Sequence, residues 1–312
     1  MIKEKNFISA IVYMHNCSNQ IGNFLMEVDN TLRTNFANYE IICVDDASSD
    51  NSIETVKKCA ENINSTSINI VHMSYYQGLE LSMHAGIDLS IGDFVYEFDS
   101  INIDYPLSLL MDCYKCALQG YDIITIGPKK VSKLTSKLFY KMFNMFSHSN
   151  YHMRSETVNF LSRRAINRVD SLSQTIPYRK ALYARSGLNL TFMEYESNNC
   201  IYNDSNRLIN NNRRETAIDA MIIFTDVADS LAEGFALFMI LITLGIAFYI
   251  VLGYFGKYHP IEGWMSLMGF ICFGFFGIFL LTAILIKYLS LNLRLLFKKQ
   301  EYLVAEIEKV KG

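Results

Sequence analysis

YEIICVDDASSDNS, Tyr39 to Ser52, starts as a branched apolar run and ends in acids among hydroxyls. A short run of this kind, bounded by polar residues, reads as a strand. The residues that follow, SIETVKKCAENI, carry apolar positions at the i, i+3, i+4 spacing of a helix. The same alternation extends in both directions. Upstream, FISAIVYM reads as a strand and NQIGNFLMEVDNTLRTN as a helix. Downstream, INIVHM, GDFVYEFD and YDIITIG read as strands, separated by the helical stretches GLELSMHAGIDLSI and PLSLLMDCYKCALQG. Strand and helix in repeated alternation from Phe7 to about Ile126 predict an α/β fold, a mostly parallel sheet flanked by helices. Ligands of such sheets bind at the carboxyl ends of the strands.

Two of the predicted strands carry acids at that end. IICVDDASSDNS brings Asp45 and Asp46, and FVYEFDSINIDYP brings Glu97 and Asp99, with Asp104 close behind. Glu97 and Asp99 are two apart, so on a regular strand they face one side and one metal ion can touch both. A magnesium or manganese ion bridging phosphates needs only one or two protein carboxylates, because the substrate supplies other oxygens. From the residues alone a metal site, a general acid–base pair and a solvated loop entrance all remain open.

Composition narrows the class. The 312 residues have room for one large domain or two ordinary ones, and a hydrophobic content of 51% is high for a purely soluble chain. The net charge of -3 comes without a basic stripe in the first two hundred residues, which excludes nucleic acid as the expected partner. Seven scattered cysteines do not make a disulfide framework. Cys113 and Cys116 form a single CxxC in a helix-like run, without the second pair of ligands that structural zinc requires. The opening MIKEKNFISAIVYMHN has too short an apolar run for a signal peptide.

Organisation changes along the chain. A domain covering 1–212 contains the alternation and then a weaker region, in which SKLTSKLFYKMFNMFSH reads as a helix, SETVNFLSRRAINRVDSL as a strand and helix, LNLTFMEYES as an edge strand and NNCIYNDSNRLINNN as a loop. Residues 213–234 alternate apolar and acidic positions and read as a juxtamembrane amphipathic segment. Two uncharged runs, 235–255 and 264–286, each have about the length of a bilayer core and predict a transmembrane hairpin. Lys287, Arg294, Lys298, Lys299, Lys309 and Lys311 follow the second run, whereas the connection holds only Lys257. Positive-inside counting therefore places both termini in the cytoplasm, with the protein in the inner membrane. The tail, 287–312, is expected to lie on anionic lipid or to pair with a neighbouring subunit.

These residues also carry a resemblance. IICVDDASSDNS is similar to the VDDxSxDxS segment of the GT-A glycosyltransferases, and YEFDS falls about fifty residues later, where that family places its DxD. Between them YYQGLELSMHAGIDLSIGDF resembles the family's N-x-G-x-x-x-A-x-x-x-G stretch, with Gly78, Ala85 and Gly86 in recognisable places. With two C-terminal spans, the chain resembles the polyprenyl-phosphate glycosyltransferases.

The resemblance implies a site. Asp45 and Asp46 would lie beside the base and ribose of a nucleotide sugar, with His15 and Asn16 next to the base and Gly78 in the same donor site. Asp99 would hold Mg2+ or Mn2+ on the diphosphate, Glu97 would stand for the first Asp of DxD, and Asp104 would lie near metal or sugar. Lys129 falls where an arginine for phosphate is common, and Arg213 and Arg214 would contact phosphate ahead of the membrane. The family's D-F-R is replaced by Thr157 to Asn159, leaving Glu156 as the nearest acid, and its S-K-Y is missing. A hydroxyl acceptor needs a base. A lipid monophosphate, whose second pKa is about 6, does not. The expectation is an inverting, metal-dependent transfer of a hexose from a nucleotide sugar, UDP-linked by resemblance, to polyprenyl phosphate by a homo-oligomer, a tetramer or dimer. Two alternatives stay open: a catalytically silent membrane scaffold or partner subunit, and a transferase acting on a lipid-linked sugar hydroxyl with Glu156 or Asp104 as base.

Overall fold

The computed structural model describes residues 3–129, 134–147, 152–172, 178–197, 207–227, 263–297 and 302–311, with isolated positions between 230 and 248. The predicted alternation is present. Strand β1 (Ile8–Met14) is followed by α1 (Ser18–Asn35), β2 (Tyr39–Asp45), α2 (Ser52–Ala60), β3 (Ser67–Met73), α3 (Leu79–Leu89), β4 (Phe94–Phe98), α4 (Ser108–Leu118) and β5 (Ile123–Pro128). Then come α5 (Leu134–Phe146), β6 (Val158–Ser162), α6 (Arg163–Leu172), α7 (Arg179–Arg185) and β7 (Leu190–Tyr195). Helices α8 (Arg207–Phe224) and α9 (Trp264–Phe297) and strand β8 (Val304–Lys311) complete the described elements.

One eight-stranded sheet runs in the order β7-β5-β6-β4-β1-β2-β3-β8. The neighbours β3, β2, β1 and β4 are parallel, as are β5 and β7, whereas β6 runs against both β4 and β5, and β8 against β3. β1 and β2 are buried along nearly their whole length. Continuous burial of this kind explains why they read as apolar runs rather than alternating ones. Helix α3 lies close on them: a Cβ at Gly86 would stand 2.5 Å from Ile11 Cγ2 and 2.8 Å from Val44 Cγ2.

Two expectations for the later chain change. The loop expected through Asn212 becomes helix from Arg207, and its first part, 198–206, lies outside the described residues. The tail expected as an amphipathic segment is helical only as far as Phe297, and Val304–Lys311 is a strand. The edge of β3 would otherwise present unpaired backbone groups, and β8 covers it by antiparallel pairing from Ile68 to Met73.

The chain divides into two units, Met1–Ala220 with Gln300–Gly312, and Met221–Lys299. The first contains the sheet. In the second, α9 is a single helix of 34 residues, and Phe275, Phe276, Phe279, Leu285 and Ile286 are exposed on it. Among the described residues no helix is long and apolar enough to cross a membrane. The first expected span, 235–255, lies largely outside those residues, as do several side chains of the second.

Candidate functional site

Parallel pairing sets the ends of β1, β2 and β4 side by side: Met14 is opposite Asp45, and Val12 lies between Cys43 and Phe98. The loops that leave β1 and β2 are tied together. Asn16 accepts the Ser49 amide at 2.7 Å, and its own amide donates to Ser48 Oγ at 3.0 Å. Asn16 (φ 49°) and Ala47 (φ 53°) both adopt left-handed backbone. For alanine that conformation costs roughly 1–2 kcal/mol, offset here by the surrounding bonds. His15 stands beside them, its Nδ1 2.6 Å from the Asp46 carbonyl oxygen and its ring 4.8 Å from that of Tyr76.

Asp45 and Asp46 reach this edge, but both are buried and hold protein groups. Asp46 accepts the amides of Gln77 and Gly78 at 2.7 and 2.8 Å and the Tyr13 hydroxyl at 3.0 Å. It therefore fixes the turn that opens α3. Gly78 sits there at φ 87°, where a Cβ would also meet the Asn212 side chain at 2.5 Å. Asp45 accepts the Ser48 amide at 3.2 Å and lies 3.7 Å from His72 Nδ1. Their observed contacts fix the loops at this edge and leave neither carboxylate free of protein partners.

Glu97 and Asp99 face the same side, as expected, and what lies between them is the guanidinium of Arg179 on α7. Glu97 is wholly buried in β4, between Ile11 of β1 and Asn159 of β6. Its Oε1 accepts the Tyr183 hydroxyl at 2.7 Å and its Oε2 accepts Asn159 Nδ2 at 3.0 Å. Arg179, also fully buried, donates from Nη2 to Asp99 at 2.8 Å and from Nε to Glu80 at 3.0 Å. Its Nη1 lies 3.0 Å from Glu97 Oε1. Lys180 Nζ lies 3.2 Å from Asp99 Oδ2 and donates to the Glu156 carbonyl at 3.0 Å. These last two contacts to the carboxylates are ion pairs without hydrogen-bond alignment, because Arg179 Nη1 and Asp99 Oδ2 make no hydrogen bond.

The charges move one another's protonation. Burial raises the Asp99 carboxyl, but Arg179 and Lys180 outweigh it and hold the group below its ordinary value. Burial keeps Glu97 raised in spite of Arg179. Burial opposes the charge of Arg179, and Glu97, Asp99 and Glu80 reverse that and hold its pKa well above the ordinary value.

The expected magnesium or manganese ion does not fit these side chains as they stand. Three of the four oxygens of Glu97 and Asp99 accept hydrogen bonds, and the fourth faces Lys180. An ion ligated there, at about 2.1 Å from oxygen, would be set against two cations. At a separation of ~4 Å and an effective dielectric of ~20, each unit of like charge costs about 4 kcal/mol. Among the described residues the one group with cation-binding spacing is elsewhere: His84, Asp88 and Asp170 have ligand atoms within 4.8 Å of one another. Tyr302 already donates to Asp88 there at 2.5 Å.

The remaining predicted residues spread around the edge. Asp104 accepts the Tyr195 hydroxyl at 2.7 Å and Ser197 Oγ at 3.0 Å, and Tyr195 in turn lies 3.0 Å from Thr157 Oγ1. Glu156 is buried behind Lys180. Lys129 lines a pocket of about 320 Å3 with Lys137, Tyr140, Arg154, Phe192 and Glu194. Arg154 is already paired there with Glu194 at 2.6 Å. Arg213 and Arg214 are exposed on α8. Sequence reasoning missed Glu80, Arg179, Lys180 and Tyr183. The signal present was a pair of adjacent cations, Arg179 and Lys180, in YRKALYAR.

The sheet is mostly parallel, and the acid-bearing ends of β2 and β4 flank β1 at one edge. Residues 9–169, more than half of the chain, match the family model "Glycosyl transferase family 2", and the chain belongs to that family. An uncharacterized glycosyltransferase of Synechocystis is 25% identical over 195 residues, covering 61% of this chain and 60% of the relative. The undecaprenyl-phosphate 4-deoxy-4-formamido-L-arabinose transferase of Yersinia pestis is 32% identical over 108 residues, 34% of this chain and 32% of that protein. The chain spans 50% to 60% of the length of the first three curated relatives it matches. Among solved structures, a mannosyltransferase of Pyrobaculum calidifontis in complex with GDP-Man and Mn2+ aligns over 95% of this chain and 89% of its own, at 12% identity and a TM-score of 0.47.

Proposed function

We infer that this chain transfers a sugar from a nucleotide sugar to the phosphate of a polyprenyl phosphate at the surface of a membrane. The observation that carries this reading is the convergence of the His15–Asn16 loop, the Asp45–Asp46 loop, the Gly78 turn and the Glu97–Asp99 strand end on one edge of a family 2 sheet. The loops fixed by Asp46 and Asn16 would hold the nucleoside. The sugar would then project toward Asp104, Tyr195 and Thr157.

The acceptor class is supported by chemistry. Thr157 and Asn159 stand at the place of the family's aspartate and arginine, so the base that a hydroxyl acceptor needs is missing there. A phosphate monoester is largely a dianion at neutral pH and attacks the anomeric carbon without one. The pocket containing Lys129 and Lys137 suits an anionic head group. The apolar runs 235–255 and 264–286 would form a hairpin that holds the sheet domain where such head groups emerge. Phe275, Phe276 and Phe279 are exposed on α9 and suit lipid.

One observation favours a second reading. The carboxylates at the strand ends are already neutralised by Arg179 and Lys180, as in a relative that no longer transfers sugar and serves as a partner subunit. Purified protein in detergent, given radiolabelled UDP- and GDP-sugars with undecaprenyl phosphate, decides between them. Label entering the lipid phase in an acid-labile product is the expected result. Protein that binds neither donor nor lipid phosphate belongs to the second reading.

A further inference from the structure

We propose that Arg179 and Lys180 take the place of the divalent cation at the Glu97–Asp99 strand end, so that this site meets its donor without a bound metal ion. The proposal rests on the donor site inferred above and concerns what supplies its positive charge.

The geometry is that of a closed set. A guanidinium and an ammonium bring two positive charges, the same as one divalent ion, to a point surrounded by Glu80, Glu97 and Asp99 at 2.8 to 3.2 Å. Arg179 is held from several directions: its Nε and its own backbone amide both donate to Glu80, and Nη2 donates to Asp99. Tyr183, one turn further along α7, donates to Glu97. The helix and the strand end are thus locked to each other. Burial is the deciding feature. Arg179 and Glu97 are both fully enclosed, so this is not a surface pair that a metal ion could displace by exchange with water. A charge buried in this way is kept only when it is paired.

The two cations have different roles. Arg179 touches no solvent and acts as a positioning residue, setting the orientation of Glu97 and Asp99. Lys180 is buried as well, its ammonium held between Asp99 and the Glu156 carbonyl, and it adds the second positive charge at Asp99. One consequence is electrostatic: Glu97 and Asp99, neutralised from within, no longer repel an incoming anion.

The test is a Mn2+ titration of the purified full chain, followed by electron paramagnetic resonance, beside Asp99→Asn and Arg179→Met. The proposal predicts that wild type takes up no Mn2+ that Asp99→Asn abolishes. Mn2+ bound equally by wild type and Asp99→Asn lies elsewhere, as at His84, Asp88 and Asp170, and leaves the proposal standing. Arg179→Met, if folded, should gain a Mn2+ site by leaving three carboxylates without their guanidinium. One Mn2+ bound by wild type and lost in Asp99→Asn overturns the proposal.

A second readout needs no variant. UDP or GDP should bind with the same Kd, within about twofold, in Mn2+ and in EDTA, whereas weakening of about tenfold or more in EDTA overturns the metal-free site. The two inferences fail separately. Metal-dependent transfer of sugar to lipid removes this proposal and keeps the transferase. Absence of nucleotide binding removes the transferase, and the Mn2+ titration still decides the proposal.

Discussion

At the scale of the residue, the strand-end acids are explained by a partner that lies far away in sequence. Arg179 reaches Glu80 across 99 positions and Asp99 across 80. Removing one member of a buried ionic set leaves the others uncompensated, which typically costs about 3–5 kcal/mol. Arg179→Met should therefore lower the melting temperature in detergent far more than Arg214→Met, an exposed position on α8. Equal effects of the two would show that the buried set does not hold the fold. The pH dependence follows from Asp99. Burial pushes its carboxyl up, Arg179 and Lys180 more than reverse that, and the net direction is below 3.8. A depressed folded-state pKa adds stability that is present above the unfolded value, about 3.9, and is lost as the pH falls through the folded one. Urea unfolding of wild type and Asp99→Asn should differ most at pH 5 and above, and the difference should shrink below about pH 4. Glu97 has the opposite sign, because burial keeps its pKa raised in spite of Arg179, and Asp99→Asn, by removing the neighbouring carboxylate that adds to that rise, also brings it down. The sequence made the acids legible and, by resemblance, gave them to a metal ion, since a pair of cations within YRKALYAR does not announce that it will be buried beside them.

At the scale of the element, the first five strands and four helices follow the period of their apolar residues. β1 and β2 read correctly because both of their faces are buried. α3 carries a constraint that the period does not contain. Gly86 is packed against the stiff branched side chains of Ile11 and Val44. Gly86→Ala should destabilise the protein by about 1–3 kcal/mol through overpacking, although alanine is the better helix former. A melting temperature at or above that of wild type would contradict this packing. β8 was not legible, for a physical reason. In VAEIEKVK the apolar residues Val304, Ile307 and Val310 recur every three positions, which suits neither a strand nor a helix cleanly. The open edge of β3 settled the matter, since backbone groups there gain partners only if a strand comes to them.

At the scale of the whole molecule, β8 brings the chain back to the sheet after the helical unit ends at Lys299. It also joins the site's own framework: Gln77, whose amide donates to Asp46, exchanges hydrogen bonds with Leu303, and Glu308 lies 3.4 Å from His72 beside Asp45. Ending the chain at Lys299 should expose the β3 edge, lower the melting temperature and produce aggregates on size-exclusion chromatography. A monodisperse, equally stable truncation would mean that the edge needs no cover. Strand pairing also requires residues before Ala220 and after Gln300 to lie on the same side of any membrane that the second unit enters. Cysteines introduced at Lys58 and Lys309 should then react with an impermeant maleimide from one face only. Labelling of the two from opposite faces would refute the hairpin.

The most direct measurement is hydrogen exchange of the intact protein with and without UDP or GDP, in Mn2+ and in EDTA. The account predicts slower exchange in the peptides containing His15 and Asn16, the Asp45–Ser49 loop, the Gln77–Gly78 turn and Asp99, in either medium. Protection confined to other parts of the chain, or none with any nucleotide, would contradict the assignment of this sheet edge as a nucleotide-sugar site.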